Sequence, residues 1–147
     1  MGKEVKAMVE VSRHVDASPE RVFDAWVDPG SARHWLFATA GGNVERCEID
    51  PRVGGCFAIF ELRGSILAEH YGEYLELDRP RRLVFDFWTN FSEERTRVTI
   101  TIAPDADGSR LTLTHQGVWV DYEERTRQGW RTIIEGLVRC LGDATTA

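Results

Sequence analysis

The amino-acid sequence predicts an α+β fold in which a curved antiparallel sheet of about seven strands packs against one long C-terminal helix. Between residues 44 and 117, apolar and polar residues alternate in short segments that Gly, Pro, Asp and Asn separate. This pattern is typical of antiparallel strands joined by turns. Residues 121–141 instead carry apolar side chains at helical spacing. The predicted order is one strand, two short helices, six strands and one long helix.

The N-terminal segment predicts a half-buried strand followed by two short helices. In the strand, polar residues alternate with apolar ones, namely Val5, Ala7, Val9 and Val11. Residues 18–20 read Ser-Pro-Glu, which is a helix start because it supplies a capping hydroxyl, a Pro in the first turn and an acid at the positive end. Asp28-Pro29-Gly30 ends this helix, and residues 31–36 are predicted to form a second one that carries Trp35.

The middle of the chain predicts six further strands. Turn residues bound each of them, and Gly64-Ser65 and residues 104–108 form two of the connecting turns. The strands are expected at residues 44–49, 56–63, 66–77, 83–88, 96–103 and 111–117.

The last long segment predicts an amphipathic helix. Its apolar stripe consists of Trp130, Ile133, Ile134, Leu137, Val138 and Leu141. This helix and the two short ones must cover one face of the sheet. Because a sheet of seven strongly twisted strands curls, one helix is not expected to fill its concave side. A pocket should therefore remain.

Composition limits the class of protein. The chain has 147 residues, 42% hydrophobic and 29% charged, which fits one domain over residues 1–147 with a core from about 5 to 141. A net charge of -6 argues against nucleic acid or an anionic membrane as the main partner. We expect no membrane span, because no apolar run approaches about 20 residues. The polar N-terminus and three widely spaced cysteines (Cys47, Cys56 and Cys140) suggest a cytoplasmic location.

An ordered set of segments resembles the START-like (SRPBCC) superfamily, and most closely its branch named after the C-terminal domain of the activator of the heat-shock protein ATPase. The resemblance extends from about residue 5 to 141. The segments that carry it are Ser18–Trp26, Trp35, Gly54–Phe57, Gly72–Tyr74, Asp78–Leu83, Leu111–His115 and Gly129-Trp130. It implies a helix-grip fold, in which the sheet wraps around the C-terminal helix and encloses an apolar cavity. The superfamily includes lipid carriers, hormone binders, polyketide cyclases and co-chaperone modules, so the fold alone does not determine the function.

The large number of aromatic side chains favours a pocket for a small, largely apolar molecule. One helix stripe cannot cover all of these rings, and an apolar pocket with a few polar groups would accommodate the rest. The expected ligand-binding residues are Trp35, Phe57, Tyr71, Trp88, His115, Trp130 and Ile133. We expect no cofactor and no metal, because the four histidines lack the spacing of metal ligands.

Three titratable residues are candidates for acid–base chemistry, although none is assigned as catalytic. His115 shares a strand face with Leu111 and Leu113, so it is either a pocket base or a core histidine satisfied by a neighbour, and the structural role is favoured. Asp86 faces the pocket or the solvent, depending on which face of its strand is buried. Glu61 shares a face with apolar residues and can point into the pocket or away from it.

Three functions follow from these features. The favoured one is a binding module for a small apolar ligand. The alternative is an enzyme of the cyclase or dehydratase type acting on a polyketide-like or aromatic substrate, which would require two of the three candidates to converge. A chaperone partner is not expected, because the long activator architecture has a further N-terminal domain for which this chain has no room. Val118 and Trp119 are expected either at the pocket rim or in a homodimer contact.

Overall fold

A computed structural model of the protein describes residues 6–145 and confirms the predicted α+β architecture and element order. Val5, predicted to begin the first strand, lies outside the described residues. A 3-10 turn at Val120–Tyr122 leads into the last helix. The elements are β1 (Lys6–Val15), α1 (Pro19–Val27), α2 (Pro29–Ala32), β2 (Asn43–Ile49), β3 (Cys56–Arg63), β4 (Ile66–Asp78), β5 (Arg82–Thr89), β6 (Ser92–Asp105), β7 (Gly108–Trp119) and α3 (Glu123–Thr145).

The seven strands form one antiparallel sheet in the order β1-β7-β6-β5-β4-β3-β2. Apolar residues of neighbouring strands face one another: Leu113 pairs with Val11 on one side and with Ile100 on the other, and Ile100 pairs with Leu83. All four of these side chains are buried. The sheet therefore presents one continuous apolar face to the helices.

Asp28 both ends α1 and begins α2. Its N–H donates to the Asp24 carbonyl at 3.0 Å, while its carboxylate accepts from the Gly30 N–H at 3.2 Å. The second helix consequently spans Pro29–Ala32 rather than the predicted residues 31–36, and Trp35 lies in the turn that follows it. The predicted start of α1 is confirmed, because the Ser18 hydroxyl accepts from the Arg21 N–H at 3.2 Å.

A cluster of rings fills the centre between α3 and the sheet. Trp26 and Trp35 meet edge to face with ring centroids 4.8 Å apart, and Trp130 lies 6.4 Å from Trp26. Phe37 stacks on His70 at 4.2 Å and lies 5.7 Å from Trp130. Such pairs add to the stability that burial of apolar area supplies. The region directly beneath the middle of α3 is thus packed rather than hollow.

The outer face of the sheet carries a second row of rings on three strands, and an arginine on each flanking strand extends the row to five strands. Phe60, Tyr71 and Trp88 lie on β3, β4 and β5, with centroid separations of 5.5 and 5.9 Å. Arg46 of β2 lies over Phe60 at 5.1 Å, and Arg95 of β6 lies over Trp88 at 3.8 Å. Cross-strand and cation–π contacts of this kind stabilise neighbouring strands on the solvent side.

Gly72 is expected to be intolerant of any side chain. A Cβ at this position would lie 2.0 Å from Cε2 of Phe57, whose buried ring is held by Phe85 at 5.1 Å. We predict that Gly72→Ala lowers the free energy of unfolding by about 1–3 kcal/mol, as overpacking does in other cores. Chemical denaturation measures this value.

Gly129 provides the matched control. It lies within α3, and a Cβ there would meet no atom within 4 Å. Gly129→Ala should raise the free energy of unfolding by up to about 1 kcal/mol, because Ala favours the helix. A Gly72→Ala protein as stable as the wild type would show that the Phe57 ring can move aside.

Candidate functional site

A pocket of about 360 Å³ opens between the ends of β5, β6 and β7 and the first turns of α3. We call it the Trp119 pocket. Its wall is mainly apolar, and it is open to solvent on one side. The residues that line it are Phe87, Trp88, Thr89, Ser92, Glu94, Thr96, His115, Gly117, Val118, Trp119, Tyr122 and Thr126.

His115 lies at the inner end of this pocket within a chain of hydrogen bonds. The Trp130 indole N–H donates to its Nδ1 at 3.0 Å, and its Nε2 lies 2.7 Å from the Thr96 hydroxyl. An indole N–H can only donate, so Nδ1 must accept and the single ring proton must sit on Nε2. The Nε2–H therefore donates to the Thr96 hydroxyl oxygen, and the Thr96 hydroxyl in turn donates to the Phe87 carbonyl at 3.3 Å.

This arrangement holds His115 in its neutral form. Burial lowers the pKa of its imidazole to about 4, and the side chain is only 6% exposed. Protonation at Nδ1 would set two N–H groups against each other at the Trp130 contact. The histidine therefore connects α3 to β7, and the Thr96 hydroxyl keeps one lone pair that can accept from a ligand.

A bulge in β7 shapes the outer part of the pocket. Val118 pairs with Ala7 and Gln116 with Met8, so Gly117 is the extra residue, and its φ is 90°. Only glycine adopts such a backbone readily. The bulge positions Val118 and Trp119 at the pocket wall. The sequence signal for it was a Gly at the predicted end of the strand, residues 111–117.

Lys6 spans the rim of the pocket. Its ammonium lies 3.2 Å from the Glu94 carboxylate and 4.2 Å from the centroid of the Trp119 ring. Both partners line the pocket. This contact neutralises the acidic residue at the rim and holds Trp119 against β1.

The three candidate acid–base residues lie in three different places. Asp86 is on the outer face of the sheet, where it accepts from Arg97 Nε at 2.9 Å. Glu61 is fully buried on β3 and accepts from the Thr39 N–H at 2.5 Å, the Thr39 hydroxyl at 2.8 Å and Arg63 Nε at 2.7 Å. Burial raises the pKa of Glu61, but these hydrogen bonds outweigh it and the net shift is downward. The strands β4, β5 and β6 separate Glu61 from His115.

The expected ligand-binding residues are distributed over several regions. Trp88 and His115 line the Trp119 pocket, and Trp130 reaches it through its hydrogen bond to His115. Phe57 and Tyr71 line a separate depression of about 330 Å³ that also includes Trp88. Trp35 is 1% exposed within the ring cluster, and Ile133 is half-buried on α3. Thr96, Gly117 and Thr126 are lining residues that the sequence analysis did not identify.

His70 is a second buried histidine. Its Nδ1 lies 3.0 Å from the Ile59 carbonyl, to which it donates, and burial lowers its pKa to about 4.

Among the residues whose side chains are described, no group of three or more His, Cys, Asp or Glu could hold a metal ion. Within the described residues, no helix is both long and apolar enough to cross a membrane.

The two buried histidines predict a loss of stability in mild acid. Each has a pKa near 4 when folded and an ordinary value of 6.5, so the unfolded chain takes up the protons first. The stabilisation is complete above pH 6.5 and disappears as the pH falls towards 4. At pH 5, each histidine should lower the free energy of unfolding by about 2 kcal/mol relative to neutral pH.

Urea denaturation from pH 7.5 to 5 measures this slope. Of the pH dependence that the two buried histidines cause, His115→Gln should remove about half, His70→Gln should remove the other half, and the double variant should remove both. An unchanged slope in His115→Gln would mean that this imidazole is not held neutral in the folded protein.

Comparisons with known proteins place the chain in a family. A family profile described as "Activator of Hsp90 ATPase homolog 1-like protein" matches residues 16–142. Among the curated proteins, no match is found.

Solved structures share the fold over nearly the whole chain. A crystal structure of a protein from Chromobacterium violaceum is 27% identical, with a TM-score of 0.82 over 90% of this chain and 95% of that one. The solution structure of an AHSA1-like protein from Aeromonas hydrophila is 21% identical, with a TM-score of 0.81 over 96% of each chain. A Staphylococcus aureus protein of unknown function is 16% identical, with a TM-score of 0.87 over 97% of this chain and 98% of that one.

These neighbours confirm the helix-grip architecture and the resemblance drawn from the sequence segments. The profile covers most of the chain, and its boundaries enclose both α1 and nearly all of α3. The chain belongs to the family of activator of Hsp90 ATPase homolog 1-like proteins, within the START-like superfamily.

Proposed function

We propose that this protein binds a small, largely apolar molecule in the Trp119 pocket. The observation that carries the proposal is a mainly apolar pocket of about 360 Å³ whose buried polar groups already satisfy one another. This volume is within the range of small-molecule sites, which combine apolar walls with a few oriented polar groups.

The lining suggests the chemistry of the ligand. Phe87, Trp119 and Val118 offer apolar surface, and the free lone pair of Thr96 favours a ligand that carries a hydroxyl or another donor. Because Lys6 already pairs with Glu94, the rim offers little net charge. We therefore infer a neutral ligand with an aromatic or aliphatic body and one hydrogen-bond donor.

Binding is favoured over catalysis because His115, Asp86 and Glu61 do not share a site. Each of the three is engaged by protein groups, and Asp86 lies on the opposite face of the sheet. A homodimer contact through Val118 and Trp119 has less support, because Val118 is buried and Trp119 packs beneath Lys6. The net charge of -6 supports our further proposal that no nucleic acid is a partner. The polar N-terminus and the three widely spaced cysteines support our proposal of a cytoplasmic location.

Filling the pocket from the helix side tests the proposal. Thr126→Tyr places a ring in the pocket wall, and we predict that it weakens binding of 2-naphthol about tenfold or more, since the ligand loses its space. NMR titration of the full chain measures the dissociation constant. Native mass spectrometry of protein purified from its own host should show a bound small molecule in the wild type and not in this variant.

Thr132→Tyr is the matched control. Thr132 is exposed on the same helix and does not line the Trp119 pocket. This variant should bind 2-naphthol as the wild type does. Equal binding by Thr126→Tyr and the wild type would place the ligand elsewhere and overturn the proposal.

A further inference from the structure

We propose that a second pocket, near the other end of α3, binds a small anion of the phosphate type. This pocket has a volume of about 450 Å³ and a mainly polar wall. We call it the Arg139 pocket. It is lined by Arg33 and His34 after α2, by Ala38, Thr39, Ala40, Gly42, Asn43 and Val44 of the following loop and strand, and by Arg139 of α3. Arg139 lies 13 residues after Thr126, so the two pockets are about 20 Å apart along the helix.

The charge of the lining is the first argument. Two guanidinium groups and one imidazole face this pocket, and no Asp or Glu is among its lining residues. The protein as a whole has a net charge of -6, so a pocket with only basic ionisable groups departs from the average surface. Arginine also recognises phosphate oxygens particularly well, because its planar donors can form paired hydrogen bonds.

The second argument is that both arginines are available. Most described arginines bind a carboxylate, as Arg13 binds Glu135 and Arg79 binds Asp24. Among the described residues, the guanidinium groups of Arg33 and Arg139 make no ion pair and no hydrogen bond. Two such donors at one polar pocket can bind an anion without first breaking a protein contact.

The acidic groups around the pocket are already neutralised or occupied. Glu135, which is close enough to act on Arg139, is bound by Arg13 at 2.6 and 3.1 Å. Glu61, behind the Thr39 wall, is bound by Arg63. Glu45 accepts from the Asn43 amide at 2.7 Å. None of these carboxylates lines the pocket, so their repulsion of an anion is reduced.

The third argument is that the loop wall is held in place before any ligand arrives. Glu61 accepts from both the N–H and the hydroxyl of Thr39. At Gly42, a Cβ would lie 2.0 Å from Glu61 Oε2, so the backbone sits directly against this carboxylate. A fixed wall reduces the ordering cost of binding.

Because both arginines are exposed, the affinity should be modest, with a Kd of about 1 mM.

NMR titration of the full chain with inorganic phosphate tests the site at pH 7.5 and constant ionic strength. We expect saturable shifts of the Thr39, Gly42 and Asn43 amides. Arg33→Gln and Arg139→Gln should each weaken binding about tenfold, because each removes one charge-assisted contact. Arg131→Gln is the matched control: Arg131 is on the same helix, its guanidinium has no ion pair or hydrogen bond among the described residues, and it does not line this pocket.

A parallel titration with phenyl phosphate distinguishes the source of the anion. Tighter binding of phenyl phosphate supports a phosphate carried by a metabolite, and equal binding supports free phosphate. An Arg131→Gln protein weakened as much as Arg139→Gln would show general electrostatic attraction and overturn the site. Shifts that never saturate would overturn it as well.

Discussion

The hydrogen bond from Trp130 to His115 is the contact on which the rest of the structure depends. It joins the buried stripe of α3 to the last strand of the sheet, and it fixes which nitrogen of the imidazole carries the proton. Thr96 and the Phe87 carbonyl are oriented as a consequence. Removing one of these two side chains and leaving the other without a hydrogen bond would lower the free energy of unfolding by about 1–3 kcal/mol. The position of α3 and the inner end of the Trp119 pocket are thus set together.

Much of the fold could be predicted because local chemistry and side-chain periodicity agree. Ser18 was recognisable as a cap from its neighbours alone, and the stripe containing Trp130 and Leu137 required a sheet to cover it. The start of α2 was harder, since one residue, Asp28, serves two helix ends. The lengths of β6 and β7 were also underestimated, because both strands continue up to the two-residue turn between them, where Ala106 has a φ of 55°.

The candidate site was less predictable, because alternation shows which residues share a face but not which face is buried. On β3, Phe57 and Glu61 share one face and Phe60 occupies the other, and both faces are apolar enough to be inside. The same ambiguity affected Tyr71 and Trp88, which joined the outer row of rings. Residues such as Thr96 and Thr126 became part of the pocket through tertiary geometry, for which a single sequence carries no signal.

Both ends of α3 border a pocket whose buried polar groups are already bound to one another. At one end, His115 accepts a hydrogen bond from Trp130. At the other end, Glu61 accepts from the Thr39 N–H and so holds the loop in place. Preformed walls reduce the loss of conformational entropy that accompanies ligand binding. The packed ring cluster around Trp26 and Trp35 separates the two regions.

The sheet order also has a consequence for the newly made chain. Within the described residues β1 pairs only with β7. Val11 therefore has no partner strand until Leu113 of β7 has been synthesised. At ribosomal speeds of about 5–20 residues per second, that interval is roughly 5–20 s. During it the apolar side of β1 has no sheet to join. The nascent protein can therefore complete its sheet only near the end of translation.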